Sequence, residues 1–509
     1  MNNILTRIRS LKEKKFLTIW IIFICVTLLT LIANYPTYSS LELIFGDYGA
    51  AFKANELISD GYSPTVDFAY LYGLLPLVVS KVWFAIFGKN YQAVFLGVAI
   101  CYLFSVTALA KIALSANLRY LGIIFIGISL PFYIFGNSPH FTYALEPIFI
   151  LWAAVEHLLQ KRGRTLVFLV FGYFTKPSIS LVYAFIVLGT YARDFLKNRI
   201  TIKQIFREIS PAFLTLTFLL ISLGIIFGVA PLVGTLLLAP IQGAEFYKAA
   251  NISLLTSDFL YFPGVRLGYY IGNAGFWIIS TIYLFASVIF LLYKNFILKE
   301  DGYQSNITDV IFSIAILHLI FSLSTPNRYP YILIVGVALL DSKNIKALNI
   351  QIKSLLAFLS VFLILGYYPG LSDIYKSWLE FNPSTSMVSL SSSSELKNEF
   401  SEILNYCQKK NVFILGTSVG GIDVFFPECN SPDAWWILKG VYNQTEIERI
   451  NNQISRSDLL VIPKRYKGLA PFGDFNNKNA NISSYQKELS KLQKYKEGNY
   501  FSFFIRSVK

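Results

Sequence analysis

Cysteine is scarce here, with four residues in a chain of 509, so no disulfide framework organises the fold. Cys25 and Cys101 lie inside apolar runs and read as packing residues. Cys407 and Cys429 fall in a polar region and can pair if that region faces an oxidising compartment. Histidine is equally sparse, with three residues, and no group of His, Cys and acids has metal-ligand spacing. The expectation is therefore a site without metal or cofactor. Internal repeats and heptads are missing as well. No basic domain stands apart from the apolar runs, which argues against nucleic acid as a partner. The formal charge of +14 then reads as a topology signal. No small-residue cleavage site follows the first apolar run, so that run reads as a retained span.

Apolar sequence, by contrast, is abundant. The composition is 54% hydrophobic and many runs exceed about 17 residues, the signature of a polytopic α-helical membrane protein. Arg7, Arg9, Lys12, Lys14 and Lys15 precede the first run and keep the N-terminus cytoplasmic. Candidate spans are 16–33, 70–88, 92–111, 119–137, 140–158, 165–190, 209–231, 269–293, 307–324, 329–341 and 350–368, about eleven in all. Loops 34–69 and 232–268 then lie outside. One conflict remains, because Lys161, Arg162 and Arg164 would face outside. A rival layout puts them inside and splits 165–190 into two short arms around Thr175-Lys176-Pro177. It also needs one of the two runs between 70 and 111 to be re-entrant.

The stretch 34–76 comes after the first span and carries Glu42, Asp47, Glu56, Asp60 and Asp67 among Tyr and Gly. Carboxylates beside a membrane span belong in water or in a polar cavity. Asp47 can cap a short helix from Tyr48 to about Ser59, with Ala51, Ala54, Asn55 and Ile58 on one face. Gly61 then turns the chain and Pro64 restrains it. Asp47 is the first candidate base, standing where a lipid-borne substrate would present its head group; its plain alternative is a helix cap. Asp67 is the second choice, as a catalytic or positioning acid or a solvated loop residue. A leaving phosphate needs a nearby cation. Arg328, in the polar break SLSTPNRYP, offers a fork that matches phosphate oxygens. Lys176 in an apolar region and Lys53 in the loop are further phosphate candidates. Tyr48, Tyr62, Tyr70 and Tyr72 could stack on a sugar or simply line the membrane interface.

Residues 1–368 thus form the membrane module and 369–509 a small outer α/β domain. Helix 395–408, strands at Asn411–Leu415, Leu459–Ile462 and Tyr500–Ile505, and a polar helix at 484–497 are expected there. GTSVGG after the first strand lacks dinucleotide spacing and reads as a turn.

The run GDYGAAFKANELISDGYSPTVDFAYLYGLLP, followed by a span ending FAIFGKN, resembles the first outer loop of GT-C fold, polyprenyl-phosphate-sugar-dependent glycosyltransferases. These include the lipid A aminoarabinose transferase, the protein O-mannosyltransferases and the rhizobial lipopolysaccharide glycosyltransferases. The resemblance implies that Asp47 is the base. It also matches Gly61, Tyr62, Asp67, Tyr72 and Gly73 to a loop pattern, and Arg328-Tyr329 to a late Arg-Tyr. Tyr48 comes after Asp47 where many members have Glu, so a paired-acid metal site is not implied. The resemblance further implies an inverting transfer from an undecaprenyl-type phosphate to a lipopolysaccharide, lipid A or other envelope acceptor. Its setting would be the bacterial inner membrane, with the C-terminal domain periplasmic. The large outer C-terminal part also resembles O-antigen glucosyltransferases. The alternative of a flippase needs a charged path through the spans, and few ionisable residues interrupt these runs. A polymerase normally relies on Arg-rich outer loops, and loop 232–268 has one arginine, Arg266.

Overall fold

A computed structural model describes residues 2–38, 54–55, 57–68, 70, 72–88, 91–136, 141–238, 267–296, 305–322, 330–343, 345, 355–356, 359–361, 375, 394–415, 429, 444–463, 485–499 and 501–506. The chain is a helical membrane protein. Helices α1 (Asn2–Tyr38), α2 (Leu75–Phe87), α3 (Tyr91–Ser115), α4 (Tyr120–Gly136), α5 (Phe141–Leu158) and α6 (Arg162–Thr175) come first. They are followed by α7 (Pro177–Leu196), α8 (Ile202–Phe227), the short α9 (Val229–Val233) and a π-helical turn, Gly234–Leu238. Next come α10 (Leu267–Phe296), α11 (Ser305–Leu317) running into a second π segment, His318–Ser322, and α12 (Pro330–Leu339). Among the described residues, four stretches are long and apolar enough to cross a membrane: Glu13–Ala33, Gln92–Ser115, Pro177–Leu196 and Ile202–Phe227.

Ion pairs gather the helix ends into one basic rim. Arg162 Nη1 lies 2.7 Å from Asp194 Oδ2, joining the start of α6 to the end of α7. Arg193 grips both oxygens of Asp309 at 2.7 and 2.9 Å, bringing in the start of α11. Arg119 stands 3.5 Å from Asp341, which also accepts from the Gly122 amide at 2.7 Å, so α4 begins where α12 ends. Lys111 over the Phe16 ring ties the C-terminal part of α3 to the first half of α1.

Two expected spans are corrected by this geometry. Segment 165–190 is not one helix but a hairpin of α6 and α7, broken at Lys176 (φ −153°, ψ 105°). Pro177 explains the break, since the residue before proline is driven out of the helical region while Pro suits the first helical turn. Arg162, at the start of α6, therefore shares the rim with Arg193 through Asp194. Segment 70–88 is not a span either. Its helical part, α2, has 13 residues, about 20 Å of helix against about 30 Å of hydrocarbon. Trp83 Nε1 donates to the Ala93 carbonyl at 2.6 Å, which folds α2 back onto the start of α3.

Toward the C-terminus stand α13 (Ser394–Cys407), β1 (Val412–Ile414), α14 (Gln444–Arg456), β2 (Leu459–Pro463), α15 (Gln486–Leu489), β3 (Leu492–Glu497) and β4 (Phe501–Arg506). The sheet order is β1-β2-β4-β3, with β1 and β2 parallel and the other pairs antiparallel. Phe413, Leu415 and Leu460 pack on Ile450, Ile454 and Tyr485, so α14 covers one face. The expected polar helix 484–497 holds only through Leu489. LQKYKE instead forms an exposed edge strand on β4, where sheet pairing outweighs helix preference and lysines discourage further pairing. Cys407 and Cys429 are bonded, with Cα atoms 5.1 Å apart.

Candidate functional site

Opposite the basic rim, the tip of the α6–α7 hairpin meets the segment that leaves the acidic loop. Phe68, Tyr70, Tyr72 and Leu74 are buried at alternate positions, the period of an extended chain. Gly73 donates its amide to the Thr175 carbonyl at 3.0 Å. A Cβ at Gly73 would collide with the Phe174 carbonyl, so glycine is what lets the two backbones touch. These side chains share a core with Ala54, Leu57, Tyr143, Phe174, Leu219, Leu223, Leu232 and Leu236.

Lys176 stands at the hairpin tip, 6% exposed, with its Nζ 3.6 Å from Glu146 Oε2 and 4.7 Å from the centre of the Tyr143 ring. Glu146, on α5, is 1% exposed. The Tyr72 and Tyr143 hydroxyls are 2.8 Å apart. Burial raises the Tyr70 phenol above its ordinary range, and a hydrogen bond with Thr142 opposes that, so Tyr70 is a neutral hydroxyl here. Lysine, glutamate, tyrosines and threonine thus converge where the loop segment crosses the bundle. The pair is a cation already desolvated and oriented, with a carboxylate it could exchange for a phosphate.

Upstream, Gly61 turns with φ +89°, as the sequence suggests. Asp67 closes the next turn on itself. Its Oδ2 accepts from the Ser63 amide at 2.7 Å, and its own amide donates to the Ser63 carbonyl at 2.8 Å. That is a positioning role for the turn. Tyr62 is exposed at its edge, beside Arg449.

An apolar groove of about 550 Å³ runs between α6, α7, α8 and the 229–238 segment. Leu166, Ile209 and Ala212 line one part; Tyr173, Ser180 and Leu236 line the part nearest the hairpin tip. Tyr173 donates its hydroxyl to the Leu236 carbonyl at 3.3 Å there.

The structure therefore brings Lys176 and Tyr72 together, with Tyr70 beside Tyr72, and sets Asp67 and Tyr62 in the adjoining turn. Asp47, Tyr48, Lys53 and Arg328 lie outside the described residues. Glu146 and Tyr143 were missed in the sequence. An acid inside FTYALEPIFILW was the available signal, because intramembrane carboxylates are expensive and need a partner. Among the described residues no group of three or more His, Cys, Asp or Glu could hold a metal ion.

Comparison with known proteins gives little. No family model matches the chain, and no curated protein is significantly similar. Among solved structures, the cryo-EM structure of arabinofuranosyltransferase AftD from Mycobacteria is similar at 9% identity with a TM-score of 0.42. That match covers 96% of this chain and 40% of that one, so the chain spans less than half the length of this structural relative. At that score the likeness carries no argument about activity.

Proposed function

We propose that this chain is a membrane glycosyltransferase that moves a sugar from a polyprenyl phosphate to an envelope glycan or lipid. The observation that carries the reading is the buried Lys176–Glu146 pair beneath the Tyr70–Gly73 segment, at the foot of an acid-rich loop. A lipid phosphate suits such a place, because its charge needs a cation at the membrane surface while its chain needs hydrocarbon. The groove past Tyr173 and Leu236 offers room for a few isoprene units. In the reaction an acceptor hydroxyl attacks the anomeric carbon as the bond to the phosphate oxygen breaks. The phosphate leaves with the electron pair and the configuration inverts. Asp47 takes the hydroxyl proton, and Lys176 and Arg328 balance the charge gathering on the phosphate. Lys53 and the tyrosines at 48, 62 and 72 contact donor phosphate or sugar. The loop face is then periplasmic and the basic rim cytoplasmic, following the distribution of Lys and Arg.

The test is sugar transfer from synthetic polyprenyl-phosphate sugars in proteoliposomes. Asp47→Asn should leave the protein abundant and folded, since Asn also caps helices, and lower the rate about 10²–10⁴-fold. Native rates in Asp47→Asn would reduce that residue to a cap.

A further inference from the structure

The one cation that reaches the acid-bearing loop from the far end of the chain is, among the described residues, Arg449 on α14. Its Nη2 donates to the backbone carbonyl of Asp67 at 2.7 Å across 382 positions of sequence. Its guanidinium carbon sits 5.5 Å from the centre of the Tyr62 ring. Ile447, Ile450 and Ile454 form the stripe with which α14 covers the C-terminal sheet. Arg449 lies two positions after Ile447 and one before Ile450, so helical spacing turns it away from that stripe. It is nonetheless half-buried, with the loop's Asp67 carbonyl and Tyr62 ring among its neighbours.

The turn that it holds is under strain. Thr65 is β-branched and has φ +65°, a conformation such residues adopt only when their surroundings impose it. The surroundings are Asp67 folded onto Ser63, the Thr65 amide on the Phe68 carbonyl at 2.7 Å, and Arg449 on the Asp67 carbonyl. Gly234 closes the other side, where any Cβ would collide with Thr65 Oγ1. Six residues on, the same chain lies on the hairpin tip through Gly73 and Thr175.

We propose that α14 is a clamp, and that Arg449 is a positioning residue which fixes the Tyr62–Phe68 turn and with it the register of the loop over Lys176. This role for the C-terminal region rests on the glycosyltransferase reading only where catalysis is concerned; the clamp itself is a structural claim. Arginine suits it because one planar group donates to a carbonyl and lies against an aromatic ring.

Hydrogen–deuterium exchange of the full-length protein in nanodiscs, read beside sugar transfer, tests both parts. In Arg449→Ala, amides in 61–74 should exchange about tenfold faster, the scale set by losing one charged hydrogen bond. Peptides covering Val412–Ile414, Leu459–Pro463 and Phe501–Arg506 should be unchanged. Arg449→Lys, which keeps a donor but not the plane, should fall between. The turnover number should fall about tenfold in Arg449→Ala with KM for the donor nearly unchanged, as expected for misplaced chemistry rather than lost binding. Unchanged exchange in 61–74 overturns the clamp. Faster exchange confined to the sheet peptides overturns it too, since Arg449 would then serve only its own region. Faster exchange in 61–74 with a native turnover number overturns the positioning role. If the native protein transfers no sugar while the exchange pattern is as expected, the clamp stands and the glycosyltransferase reading falls.

Discussion

Removing one member of the Lys176–Glu146 pair should be costly, and removing both should be cheap. At 3.6 Å and an effective dielectric of about 20, the attraction is about 4–5 kcal/mol before desolvation is charged against it. Breaking one side of a buried pair typically costs about 3–5 kcal/mol. Glu146→Gln and Lys176→Met should therefore each destabilise by about 3 kcal/mol. In a cooperative unit of this length that lowers Tm by only about 3 °C, so the informative quantity is the double-mutant cycle. Glu146→Gln with Lys176→Met should melt within about 1 °C of the native protein, because no stranded charge remains. The assay is thermal unfolding in nanodiscs followed by tryptophan fluorescence. Sugar transfer separates stability from function: the double variant should regain its Tm and stay nearly inactive, since the phosphate has lost its cation. Single variants that melt at the native temperature, or single effects that simply add, would refute the buried pair.

Backbone geometry and charge placement give two further expected outcomes. Gly73→Ala should displace the 68–74 segment from the hairpin tip, because its Cβ has no room beside the Phe174 carbonyl; transfer should fall at least about tenfold, against little change for Gly61→Asn, which tolerates positive φ. Single cysteines at Ser63 and Ser392 should react with an impermeant thiol reagent in cells stripped of an outer-membrane barrier, whereas cysteines at Ser305 and Lys161 should stay protected. Labelling at Lys161 would place the basic rim on the wrong side.

Much of the helical layout is legible in the chain. The ends of α4, α5 and α10 fall within a few residues of where apolar length puts them. The two misplaced segments have a common cause: apolar length cannot tell a single span from a hairpin or from a short helix lying against others. In 165–190, Lys176-Pro177 was the visible warning, and the conflict over Lys161, Arg162 and Arg164 pointed the same way. In 70–88, the alternation Phe68, Tyr70, Tyr72, Leu74 was a strand-like period hidden inside a hydrophobic run. The site divides likewise. Lys176 stood out as a charge in apolar surroundings, and Tyr72 as one of the tyrosines that could stack on a sugar. Glu146 shows its meaning only when α5 is laid beside the hairpin tip, and Arg449 only when α14 meets the Asp67 turn. Contacts between residues so far apart in sequence leave no local pattern to read.

The central claim is that one polar site above Lys176 holds a lipid-linked phosphate next to the acid that accepts the proton. A cryo-EM structure in lipid nanodiscs with a non-transferable polyprenyl-phosphate sugar tests it most directly. The phosphate should lie within about 4 Å of Lys176 or Arg328, with Asp47 within about one water's reach of the anomeric carbon in the same cavity. A phosphate bound elsewhere, or Asp47 and Arg328 separated by more than about 20 Å with no cavity between them, would contradict the account, since proton transfer needs contact or a single bridging water.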